Sequence, residues 1–162
     1  MLRKWLLTCT WRKRRFLVWK KRLHKQFQLI TLRHSLTLPC TLHISSGPFY
    51  GGSVVIDRQY RRAKIFIHIP YDRYMTPDER QVLNRYSIKT NALPYFILFH
   101  EFYHLIDAID HLRNHEDQSL DLYQSHLIEA AHQAINYREL DVEQRADDFA
   151  YRQFVTQCKK AG

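Results

Sequence analysis

The sequence predicts a small α+β domain in which a short, mainly antiparallel sheet packs on a central helix and on further C-terminal helices. Three patterns carry that prediction. β-Forming residues alternate with period two in stretches between Gln28 and Ile69, an apolar run from Tyr95 to Leu112 fills most faces of a helix, and two more helical patterns follow it. The chain length of 162 residues suits one compact domain with a short appendage. At 45% hydrophobic and 14% aromatic residues there is enough apolar surface for a packed core, which excludes wholesale disorder.

The expected division is a basic amphipathic segment over 1–28 and a folded body over 29–162. In the first segment, the clusters Arg12 to Arg15 and Lys20 to Arg22 alternate with Trp11, Phe16, Trp19 and Phe27, as on a basic amphipathic helix. Leu29, Ile30, Leu32, Leu36, Leu38, Leu42 and Ile44 then suggest short strands from Gln28 to Ile44. Two further strands are expected at Ser53 to Asp57 and Ala63 to Ile69, because isoleucines 65, 67 and 69 alternate with Phe66 and His68. Thr76-Pro-Asp-Glu79 has the form of a helix start, with a hydroxyl cap, proline in the first turn and early acids. That helix should run from about Pro77 to Tyr86. A buried helix from Tyr95 to Leu112, a loop at His115 to Ser119, and helices around Leu120 to Tyr137 and Val142 to Gln157 complete the chain, with Asp141 as N-cap of the last.

The formal net charge of +9 is unevenly placed. Met1 to Ile56 holds eleven Lys and Arg and no acid, whereas the remainder holds 14 basic and 16 acidic residues. The basic front, with Trp5, Trp11 and Trp19, suits contact with nucleic acid or an anionic membrane surface, or a solvated helix face that packs its aromatics on the body. Its apolar stretch is too short and too interrupted by cations for an export signal, and no run is long enough to span a membrane. Cys9, Cys40 and Cys158 form neither a CxxC pair nor a disulfide framework. A cytoplasmic protein is the expectation.

The string that carries chemistry is His100-Glu101-Phe102-Tyr103-His104. Residues four apart on a helix share a face, so both imidazoles can reach one zinc ion. Glu101 projects beside that ion and serves as the general base, taking a proton from a water that the metal has made acidic. A third protein ligand is required, and Glu143 in Glu143-Gln-Arg-Ala-Asp147 is the candidate. Asp147 lies one turn on and is expected to accept the remaining N–H of a liganding histidine. Val142, Ala146 and Phe149 form an apolar stripe that would dock this helix. Asp110 is a rival third ligand, six residues past His104. Reaching the ion from there needs a helix break, usually glycine, at the position held by Asp107. On an unbroken helix Asp110 lies about 240° round from His104, pointing away.

With these pieces in order, the chain resembles the ImmA/IrrE family of zinc metallopeptidases. The likeness rests on the strand pair Gly52 to Asp57 and Ile65 to Ile69, on Phe96-Ile-Leu-Phe-His-Glu-Phe-Tyr-His104, and on Glu143-Gln-Arg-Ala-Asp-Asp-Phe-Ala150. Glu143, Ala146, Phe149 and Ala150 match the family's Glu-x-x-Ala-Asn-x-Phe-Ala. Tyr103 stands where the family often has glycine, and 38 residues separate His104 from Glu143. The resemblance implies a zincin-like fold, one zinc ion per chain, and cleavage of a protein partner, often a DNA-binding repressor of a mobile element or stress response. Two other classes stay open at this point: a regulatory binding protein that keeps the metal but cuts nothing, and a nucleic-acid-binding protein with a chance HExxH. Glu101 favours the enzyme, because a purely structural zinc site needs no base. Tyr137, Arg138 and His132 are candidates for stabilising an oxyanion, none preferred.

Overall fold

The computed structural model describes residues 2–36, 38–57, 62–70, 74–114, 128–129, 132–133 and 137–160. Among the described residues it is an α+β structure with a three-stranded mixed sheet and four helices of nine residues or more, and it divides into two compact units, Met1–Leu98 and Phe99–Gly162.

The first unit begins with helix α1 (Leu2–His34). Trp19, Leu23, Phe27 and Ile30 recur every three to four residues and are buried, so they form the single stripe that a helix needs to dock. The strand expected over Leu29 to Leu32 is therefore helix instead. Ile30 extends the buried stripe, whereas Leu29 and Leu32 are 47% and 77% exposed. Alternation of a few leucines does not distinguish a strand from the outer face of a helix, and continuity with the stripe decides. The helix ends where Ser35 takes the left-handed conformation at φ 45°, with its N–H reaching back to the Leu32 carbonyl.

Strands β1 (Cys40–Gly47), β2 (Gly51–Asp57) and β3 (Arg62–Pro70) follow, in sheet order β1-β3-β2. β3 is central, parallel to β1 and antiparallel to β2. The sheet is thus mixed rather than mainly antiparallel. A period-two pattern reports which face is inside but not which neighbour a strand takes, and here the chain crosses from one edge to the other before filling the middle. Ala63, Ile65, Ile67 and Ile69 are 3% exposed or less, as befits a central strand with one face in the core. On the opposite face His43 stacks on Phe66 at 5.2 Å, and Ser45 Oγ lies 2.6 Å from His68 Nδ1.

Helix α2 (Pro77–Arg85) starts as its sequence dictates. Thr76 Oγ1 accepts from the Glu79 N–H at 3.3 Å, and Glu79 Oε2 accepts from the Thr76 N–H at 2.6 Å, with Pro77 opening the first turn. This reciprocal pair satisfies two N–H groups that the helix cannot, and it explains a buried glutamate. A short 3-10 turn (Thr90–Ala92) leads into helix α3 (Leu93–Asn114), whose first residues complete this unit. There Tyr95 meets Trp19 edge-on at 5.2 Å.

The second unit contains the rest of α3, a 3-10 turn (Tyr137–Glu139) and helix α4 (Asp141–Lys160). The first bond of α4 runs from the Gln144 N–H to the Leu140 carbonyl, so Asp141 is the first helical residue rather than the cap. Its carboxylate pairs instead with Arg145 one turn on, at 3.1 Å. The expected loop at His115 to Ser119 lies outside the described residues. So does the expected helix Leu120 to Tyr137, apart from 128–129 and 132–133, which are helical, and from Tyr137, which opens the 3-10 turn.

Candidate metal centre

Two helices of the second unit build the site. On α3, Phe99, Phe102 and Leu105 are fully buried, and this packing leaves His100, Glu101 and His104 on a short, almost dry stretch of surface. On α4, Glu143, Ala146, Asp147 and Ala150 recur with helical spacing and are all buried. The inward stripe is therefore Glu143-Ala146-Asp147-Ala150; Val142 and Phe149 are half-buried at its flanks. The small side chains of Ala146 and Ala150 permit a close approach of the helix, and Phe149 meets Tyr103 of α3 at 5.6 Å between ring centres.

This packing brings together His100, His104 and Glu143. His100 Nε2 lies 3.0 Å from His104 Nε2 and 3.2 Å from Glu143 Oε2, and His104 Nε2 lies 3.3 Å from Glu143 Oε1. Tetrahedral coordination with bonds of about 2.0 to 2.2 Å places neighbouring ligand atoms about 3.3 to 3.6 Å apart. The three contacts fall within a few tenths of an ångström of that spacing, so the trio can hold a metal ion after a very small expansion.

The donor chemistry points the same way. His100 Nδ1 is 2.8 Å from Asp147 Oδ1. A carboxylate only accepts, so Nδ1 carries the hydrogen and a neutral His100 presents the lone pair of Nε2 to Glu143 and His104. Lone pairs of two imidazoles and a carboxylate aimed at one point repel unless a proton or a cation stands between them. Where no cation stands there, a proton on His100 would relieve that repulsion. Burial alone would lower the His100 pKa, but its hydrogen bonds to Asp147 and Glu143 and the charges of Glu101 and Glu143 push it up to about 9.

Two carboxylates, Glu143 and Asp147, are only 2% and 1% exposed. Each costs several kcal/mol to bury without compensation. Arg138, on the preceding 3-10 turn, supplies part of it: its guanidinium stands 3.3 Å from Asp147 and 3.8 Å from Glu143. The histidines supply the rest. Glu101 is also buried and lies within the electrostatic reach of both histidines, Glu143 and Arg138. Burial raises its pKa above the usual glutamate value, against the pull of the nearby cations and with the push of Glu143.

Every residue expected at the centre is thus within it: His100, His104 and Glu143 as the converging trio, Asp147 behind His100, and Glu101 beside them. Asp110 is outside. Its side chain is 57% exposed and pairs with Arg113 at 3.8 Å, as an unbroken helix demands. Of the three oxyanion candidates, Arg138 is at the centre, His132 is exposed, and the side chain of Tyr137 lies outside the described residues. The role of Arg138 as countercharge carries no motif, because it depends on a turn folding back on the helix that follows. No family model, curated protein or solved structure matches this chain.

Proposed function

We propose that the chain is a zinc-dependent peptidase of zincin-like design. The observation that supports it is the convergence of two histidines and one carboxylate at metal-ligand spacing, with a buried glutamate beside them that belongs to no ligand set. A bound divalent ion would supply Lewis acidity, making a water acidic near neutral pH and polarising an amide carbonyl.

The residues of this chain do the rest. Asp147 holds His100 in the tautomer that leaves Nε2 free to bind, and Arg138 offsets the two buried carboxylates so that the centre is not overcharged. Glu101 takes the proton of the attacking water and delivers it to the leaving nitrogen as the amide C–N bond breaks; a carboxyl of raised pKa suits both halves of that transfer. The substrate is a protein or peptide, and the likeness to the ImmA/IrrE family suggests a DNA-binding repressor.

The test uses zinc-loaded protein and a peptide library, with new termini read by mass spectrometry. Cleavage by the wild type, lost in Glu101→Gln while zinc is retained, is the expected result. Zinc binding without any cleavage would assign the centre to a regulatory binding protein, and cleavage undiminished in Glu101→Gln would place the base elsewhere.

A further inference from the structure

The metal centre leaves the basic half of the molecule without a role, and the first unit contains a cleft that gives it one. The cleft measures about 800 Å³, within the range of ligand sites. Arg14, Arg15 and Arg22 of α1 line it together with Lys89, which comes from the segment before the Thr90–Ala92 turn. No acidic residue lines it, and none exists in the sequence before Asp57. Among the described residues these four cations make no ion pair with a carboxylate. Arg22 instead lies over the Trp19 ring at 5.9 Å. Between the cations the lining is Val18, which is 49% exposed, with the nearly buried Trp19 and Tyr50, and Thr90 and Asn91 stand beside Lys89.

Four cations drawn together from two segments repel one another, and a fold keeps such an arrangement at least cost when an anion of several charges sits among them. The charge also continues beyond the cleft along α1, through the exposed Lys21 and Lys25. A single phosphate would use only part of this surface; a chain of phosphates would use it all. The lining discriminates further. A duplex offers phosphates alone and keeps its bases stacked away, whereas a single strand can turn a base onto the lining. Trp19 and Tyr50 are 8% and 9% exposed, so a base in the cleft would meet mainly Val18.

We propose that the cleft between α1 and the Thr90 turn binds single-stranded nucleic acid, holding its phosphates on Arg14, Arg15, Arg22 and Lys89 and a base over Val18. This is independent of the metal centre and stands whether or not the protein cleaves anything.

The probe is a fluorescent oligothymidylate of about 16 nucleotides, titrated against the full chain by anisotropy over a range of salt. Four phosphate contacts predict a log–log salt slope of up to about −3. Arg14→Gln combined with Arg22→Gln should weaken binding roughly tenfold or more at low salt and flatten the slope by about 1.4. Lys13→Gln combined with Lys20→Gln removes the same charge from the opposite face of α1 and should have a clearly smaller effect; melting curves confirm that both variants fold. Equal losses in the two variants would reduce the site to diffuse attraction and overturn the proposal. So would no binding by the folded wild type at low salt, tighter binding of duplex than of single strand, or displacement of the strand by equimolar thymidine triphosphate. Preferential binding to vesicles of anionic lipid, lost in the Arg14 and Arg22 variant, would assign the cleft to a membrane surface and overturn it equally.

Discussion

The two charged regions of this molecule follow opposite rules. Along α1 the charges are of one sign, and most of those between Arg12 and Arg33 are exposed to water. Between α3 and α4 they are of both signs and mostly buried, and several are held by a named partner: His100 by Asp147, Asp147 by Arg138, Glu143 by both histidines. Exposed charge sets the long-range field and the salt dependence of encounters. Buried charge sets geometry, because an uncompensated ion in a dry site is too costly to persist.

Substitutions should separate the two regions sharply. The largest effect is expected at Glu101, where Gln keeps the shape but removes the proposed base. Cleavage should fall by roughly 10²-fold or more with zinc content unchanged. Next comes Glu143→Ala, which removes one of the three proposed ligands. Zinc affinity, read by competition with a chelating dye, should fall by more than the roughly 10 to 100-fold expected for an outer partner. Asp147→Asn is that outer case. It should weaken zinc by about 10 to 100-fold, and an equal or larger loss than for Glu143→Ala would reverse their roles.

The contrast also appears with pH. In metal-free protein the folded-state pKa of His100 is about 9, above the ordinary value near 6.5. The folded chain therefore holds a proton that the unfolded chain has released. His100 contributes stability that is full below about pH 6.5 and is lost as pH rises to about 9. Melting temperature of chelator-treated protein should fall across that window. Zinc displaces the same proton, so the gain in melting temperature on adding zinc should grow as pH rises. A flat profile in both states would mean that His100 does not carry the proton. The smallest effect belongs to exposed charge: Asp110→Ala should leave zinc affinity unchanged and stability within about 0.5 kcal/mol.

Much of this was legible before any coordinates, and the reasons differ from residue to residue. Thr76 and Glu79 announce their helix because capping is local chemistry within four residues. His100, Glu101 and His104 announce theirs because a helix fixes which residues share a face. Glu143 and Asp147 follow from the same spacing plus the need for a third ligand. One failure is local, since Asp141 is the first helical residue and Leu140 takes the cap position; the others are non-local. The direction of β1 beside β3 depends on how the chain crosses the sheet, which alternation does not encode. The helical state of Leu29 to His34 depends on the buried stripe of α1 continuing through Ile30. The position of Arg138 depends on a turn folding back on α4. The cleft needs Lys89 to meet arginines some seventy residues earlier, and no spacing rule contains that.

Metal analysis of the purified chain is the most direct check on the centre. Protein prepared without chelators and dialysed against trace zinc should hold about one zinc ion per folded chain, and Glu143→Ala prepared in parallel should hold far less. A folded wild type that takes up no zinc, or a Glu143 variant that holds as much as the wild type, would contradict it.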